Sequence, residues 1–270
     1  MKRASYATYV LLAILSMAAL YPIVAMLIVA LNQNKTGVSV SFSEGLGFEN
    51  FQRAWDVGRF GPSLVSSAIV ATSTMLLVTA ISVLAGYAFG ILRFRGQTII
   101  FYLFIFGIIF PVESFVLPLY YQLQSYHLLN SYVGLILSET AFGVAFGSFW
   151  MRATFRAIPR SVIDAASIDG AGPWATLSRI LLRPTRPAIL ALMVLYFTWT
   201  WNSFLLPLIV LSDGSIQTAP LGMAFFAGRY LTDYPGLAAG SLIISAPVVL
   251  VFILLQRQFF EGLFSGTAKL

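Results

Sequence analysis

Cysteine is absent from the 270 residues. That excludes disulfide frameworks, thiolate metal sites and thiol nucleophiles, and leaves the redox compartment undetermined. Charge is nearly as scarce, at 10% Asp, Glu, Lys and Arg, against about a quarter in soluble globular domains. The one histidine, His127, has no second His to share a metal with and reads as an interfacial polar residue beside Tyr126. A GxxxxGK[ST] phosphate loop is missing, so the chain is not expected to hydrolyse ATP itself. HExxH, a Ser with a plausible His partner and a close aspartate pair are missing too, which argues against an intramembrane enzyme. No cofactor or metal is expected on this chain. With no clear internal repeat, low-complexity tract or linker, residues 1–270 read as one domain.

What is present is apolar: 59% of residues are hydrophobic and the mean hydropathy is +0.86. Water could not solvate such a surface, and a bilayer could. Runs of roughly 20 apolar residues suffice to cross about 30 Å of hydrocarbon. Six such spans are expected, at about 7–31, 63–90, 98–120, 132–151, 187–211 and 235–256, giving an all-α polytopic membrane protein with six transmembrane helices. The first follows MKRASY, but its apolar run exceeds the roughly 7–15 residues of a signal-peptide core and no small-x-small site closes it, so a retained helix is expected.

Basic residues fix the expected orientation. Twelve of the sixteen, among them Arg93, Arg95, Arg152, Arg156, Arg160, Arg179, Arg183, Arg186 and Arg257, fall in one set of alternate loops with Lys2, Arg3 and Lys269. Lys35, Arg53, Arg59 and Arg229 fall in the other. The positive-inside rule then puts both termini and the loop around 153–186 in the cytoplasm. The net charge of +6 thus records topology and does not imply nucleic acid. Of the external segments, 32–62 contains FENFQRAW, suited to a short interfacial helix or a structural loop, and 212–233 has room for a soluble partner.

Inside the long cytoplasmic loop, SVIDAASIDGAGP (161–173) looks like two short helices broken by glycine. Ser161 and Asp164 have the spacing of a capping box, and Pro159 helps fix that helix start. Gly170 tolerates the left-handed conformation that ends helices, and Pro173 can open the next one. Leu177, Ile180 and Leu181 then recur on one face while Arg179 and Arg183 keep the other wet. Such a knob either holds the loop's shape or docks into another protein.

The string IPRSVIDAASIDGAGPWATLSRILLRPTRPAI (158–189) resembles the EAA loop of the membrane subunits of bacterial ABC importers, and AASIDGA is especially similar to the carbohydrate branch. Asp164 stands where that family has Glu, and Arg183 where it has proline, with Pro184 one place later. FENFQRAW and TWNSFLLPLIVLSDGSIQTAPLGM (200–223) look like stretches of the same maltose-type permeases, so the resemblance covers most of the chain. It implies the shorter, six-span permease of a heteromeric importer in a bacterial inner membrane. It also implies a second permease, two copies of a cytoplasmic ATPase that bind ATP and Mg, an extracytoplasmic binding protein and a carbohydrate cargo. Asp164, Ala165, Ala166, Ile168, Asp169, Gly170, Ala171 and Arg179 would form the surface gripped by the ATPase.

Polar residues within the spans complete the candidates. Glu113 and Glu139 lie at similar depth, roughly 10 Å below the outer surface at 1.5 Å per residue. They could line a path or a permease interface, or bond neighbouring hydroxyls and freed backbone. Trp201 and Asn202, with Ser203, form a polar break that could meet a sugar hydroxyl or bond another helix. An ion-coupled secondary carrier is the alternative of similar size, and it would be expected to show repeats or broken helices around an ion site.

Overall fold

The computed structural model describes residues 6–32, 47–226 and 232–264; Lys2, Arg3, Lys35, Arg229 and Lys269 of the charge count lie outside them. The described residues are helical, with no β-strand. In chain order the helices are α1 Tyr6–Leu31, α2 Glu49–Val57, α3 Phe60–Gly90, α4 Gln97–Ile109, α5 Val116–Ser125, α6 Tyr132–Arg156, α7 Arg160–Ile168, α8 Pro173–Ala175, α9 Leu182–Trp201, α10 Leu205–Val210, α11 Ala219–Gly222 and α12 Tyr234–Phe264. Two compact units result: Met1–Leu64 with Ala219–Pro247, and Val65–Thr218 with Val248–Leu270.

In the first unit, FENFQRAW does form a helix. Asn50 of α2 is buried and its amide donates to the carbonyls of Ala30 (3.0 Å) and Asn32 (2.6 Å). Those carbonyls belong to the end of α1, where a helix has acceptors left over. Arg53, one turn on, pairs with Asp233 at 2.9 Å.

The second unit is organised by a seam between α3 and α6. Glycines let two backbones approach closely where lipid offers no hydrophobic push. A Cβ on Gly147 would overlap the Ser82 hydroxyl, one on Gly86 would overlap Met151, and one on Gly143 would lie 2.9 Å from Val78. Residues 78, 82 and 86 thus meet 143, 147 and 151 in the same order, so α3 and α6 run parallel. Bonds from Trp150 Nε1 to the Ala188 carbonyl (3.1 Å) and from the Tyr196 hydroxyl to the Gly143 carbonyl make α9 antiparallel to α6.

Two parallel spans require the chain between them to cross back. Five helices are individually long and apolar enough to span a bilayer, and α4 and α5 together form a sixth candidate, bent by 95°. The near end of α4 sits at the Gly90 end of α3, where Gln97 donates to the carbonyls of Ala88, Phe89 and Leu92. Phe115 then meets Phe142 midway along α6, and Leu123 of α5 packs with Val70 and Leu135 at the opposite end. The bent pair therefore carries the chain across as one span. The span expected at 98–120 is not continuous. Pro111 interrupts it, following an extended Phe110 (ψ 130°), because a proline disfavours helical backbone in the residue before it.

Two apolar clusters mark the ends of this unit. One, at the Gly90 end, joins Tyr87, Met151, Phe155, Leu177 and Leu181; the other joins Val70, Leu123, Leu135, Leu206 and Val210. At the second end α5 closes in a turn where His127 has φ 56°. There His127 N–H donates to the Gln124 carbonyl (3.1 Å) and Leu128 N–H to the Leu123 carbonyl (2.9 Å), the bond pair of a Schellman motif. Close by, Ser131 caps α6 by accepting from Gly134 N–H, and Asn130 accepts from Asp213 N–H. The Asp213 carboxyl is held below its ordinary range by bonds from the Ser215 hydroxyl and then its N–H.

Candidate functional site

The knob is two helices joined at a glycine, as the sequence suggests, but it starts differently. Pro159 (φ −57°, ψ 136°) is the N-cap of α7 and there is no side-chain cap bond, so the Ser161–Asp164 capping box does not form. The proline ring presets the backbone and admits Arg160 as the first helical residue, leaving Ser161 two residues too deep to cap. At the other end Gly170 takes φ 74°. Gly170 N–H donates to the Ser167 carbonyl (3.2 Å) and Ala171 N–H to the Ala166 carbonyl (2.9 Å), again the Schellman pair. A Cβ on Gly170 would touch nothing within 4 Å, so glycine is needed there for its backbone freedom alone.

After Gly172, Pro173 opens α8 at a position where its missing N–H costs nothing. The following residues do not end in a loop before the next span. Thr176–Leu181 form a π-helical turn that runs straight into α9, so Pro173 to Trp201 is one shaft of 29 residues. The π turn lies just before Pro184 and Pro187, which deprive the Ile180 and Arg183 carbonyls of their usual donors. The departure at Arg183–Pro184 therefore sits within the shaft and does not end it.

Packing divides the knob into two faces. Leu177 and Leu181 are buried in the cluster with Tyr87, Met151 and Phe155, and the Tyr87 hydroxyl donates to the Pro173 carbonyl at 2.9 Å. Ala166 is also buried, at 3% exposure, so it faces the chain's own packing. Asp164, Ala165, Asp169, Gly170 and Arg179 are exposed and Ala171 is half-buried. Ile168 and Trp174 flank the turn at 86% and 69% exposure. Two large apolar side chains are thus left bare on either side of one turn. Trp174 was not among the residues singled out in the sequence, although a tryptophan directly after Gly-Pro was the available signal.

The intramembrane candidates separate. Glu139 on α6 takes a hydrogen bond from Ser203, so it meets the polar break that follows α9. Its Oε1 is buried without a partner, as is the Thr140 hydroxyl. Asn202 is exposed and donates to the Thr198 carbonyl at 2.8 Å, whereas Trp201 is buried and stacked on Phe197 with centroids 5.5 Å apart. Glu113 is exposed in the 3-10 turn of the α4–α5 bend, and among the described residues no hydrogen bond joins it to Glu139. His127, expected as an interfacial polar residue, is exposed and holds the left-handed position of its turn.

Comparison with known proteins places this arrangement. Residues 79–263 match the family described as binding-protein-dependent transport system inner membrane component. Diacetylchitobiose uptake system permease protein NgcG of Streptomyces coelicolor is 35% identical over 224 residues, 82% of this chain and 74% of the relative. Arabinooligosaccharides transport system permease protein AraQ of Bacillus subtilis is 30% identical over 94% of this chain and 92% of its own. Trehalose transport system permease protein SugB of Mycobacterium tuberculosis is 28% identical over 82% of each. In fold, the chain matches the structure of a bacterial ABC transporter involved in the import of the acidic polysaccharide alginate. That match has a TM-score of 0.77 at 19% identity, and covers 96% of this chain and 100% of the other.

Proposed function

We propose a function from one premise: the chain belongs to the family of binding-protein-dependent transport system inner membrane components. On that premise it is the permease subunit of an ATP-driven importer for a carbohydrate, since relatives across most of its length are named for diacetylchitobiose, arabinooligosaccharide and trehalose uptake. It works beside a second permease in a bacterial inner membrane, with both termini cytoplasmic. Two copies of an ATPase that binds ATP and Mg, and an external binding protein, complete the machine.

One observation carries the reading, the continuity of the knob with a span. A face bearing Ile168, Gly170 and Trp174 stands on a shaft that runs unbroken from Pro173 to Trp201. An ATPase that grips this face more tightly in one nucleotide state biases the shaft toward one position, and differential contact is the only way a ligand shifts such an equilibrium. Displacement at Pro173 reaches Trp201 because hydrogen-bonded helix transmits axial and rotational movement. There the shaft ends beside Ser203 and Glu139, whose buried unpartnered oxygen suits a hydroxyl-rich solute or the neighbouring permease. Access to that polar patch alternates as the shaft moves.

The test is reconstitution of the complete importer with a sugar panel, reading substrate-stimulated ATPase and uptake. Gly170→Pro abolishes coupling, because proline can neither take φ 74° nor donate to Ser167, while membrane insertion persists. Normal transport by that variant, or uptake by this chain alone without an ATPase, refutes the reading.

A further inference from the structure

A cleft of about 580 Å³ opens between the end of α3, the end of α6 and the first turns of α7. Arg93 from the segment just after α3, Arg156 at the end of α6 and Arg160 at the start of α7 line it, with Ile91 and Ile158 as apolar wall and Asp164 as its one acid. None of the three arginines has an ion pair among the described residues, so the cleft carries an excess of positive charge. Gly90 and Arg156, the last residues of α3 and α6, both line it, which puts it at one end of these two spans.

From this combination we infer that the cleft binds a phosphate-bearing headgroup, and that its source is an anionic phospholipid of the surrounding leaflet. Guanidinium groups match phosphate oxygens with paired, directional donors. Basic pockets between spans at the cytoplasmic side suit such headgroups, and the isoleucine wall suits the first methylenes of the attached chains. Because Asp164 and Arg160 belong to α7, a bound headgroup braces the base of the knob. The inference rests on the membrane embedding and on these side chains, and holds whatever the cargo.

The test uses the purified full-length chain in detergent, titrated by native mass spectrometry with phosphatidylglycerol, phosphatidylcholine, glycerol 3-phosphate and inorganic phosphate. Phosphatidylglycerol binds at least tenfold more tightly than phosphatidylcholine, and neither soluble phosphate displaces it at equal concentration. Each Arg→Gln change at 93, 156 or 160 weakens it about fivefold, and the triple variant on the order of 100-fold. Arg183→Gln with Arg186→Gln, which removes charge outside the cleft, leaves binding within about twofold of the parent chain. Equal retention of the two lipids by the unaltered chain overturns the site without any variant having to fold. Equal loss in the Arg183/Arg186 control reduces it to general electrostatics, and displacement by glycerol 3-phosphate refutes the lipid source. Circular dichroism of the triple variant shows whether its loss reflects the site or the fold, and retained helicity with retained binding also overturns the proposal.

Discussion

The same helix ending occurs twice among the described residues, at opposite ends of one unit, with opposite surroundings. At His127 the Schellman turn is clamped, because Leu128 and Leu123, the residues whose backbones it bonds, both pack in the apolar cluster there. At Gly170 the equivalent residues are Ala171 and Ala166, which have only methyl groups to offer. The first turn tolerates a histidine at positive φ because packing holds it in place. The second has no such anchor and uses the residue that needs none. One end closes on itself, while the other keeps its shape by backbone geometry and leaves Ile168 and Trp174 free for something else.

The hardest way to break this contrast is to remove what both ends depend on. Gly147→Leu drives a side chain into Ser82 and forces α3 from α6, destabilising the unit by about 3 kcal/mol. Thermal unfolding in detergent then falls for both ends together. A sharper pair of changes follows at the turns. Gly170→Ala costs about 1–2 kcal/mol locally, from φ alone since no atom obstructs the methyl, while His127→Gly recovers about 1 kcal/mol. Amide hydrogen exchange at residues 166–171 and 123–128 reads the opposite signs, and equal signs would remove the distinction. The smallest effect is at Asp213. Its carboxyl, held below the ordinary range, supports the Ser215 turn above about pH 4. That support is lost as pH falls through the folded value. The protection of the Ser215 amide, its exchange measured against the intrinsic rate at the same pH, should fall on acidification, and that of residues 166–171 should not follow.

Much of this was legible in the sequence. Apolar run length found the long helices, although the span expected at 187–211 belongs to a helix that starts at Pro173 and ends at Trp201, and the spacing of Pro159, Gly170 and Pro173 located the knob, because each of these residues acts on its own backbone. Contacts between helices were not legible. Gly143 and Gly147 have the four-residue spacing of close-packed membrane helices, yet nothing in the string says that Ser82 and Val78 are what they meet. Glu139 was recognisable as costly, but its meeting with Ser203 depends on how α6 and α9 pack. Pro111 was visible and its 95° consequence was not, since prolines such as Pro187 and Pro247 lie inside continuous helices here.

The parallel seam also sets a clock. A ribosome delivers α3 well before α6, with roughly forty residues between Gly90 and Tyr132, a delay of about 2–8 s at common synthesis rates. Throughout that interval the surface of α3 from Val78 to Gly86 awaits the helix it is shaped for. The bent α4–α5 pair must complete its crossing before that helix can arrive on the correct side. Ser82 then spends seconds as a polar group in a nascent, half-assembled bundle, where an insertase or a neighbouring chain has its best opportunity to act.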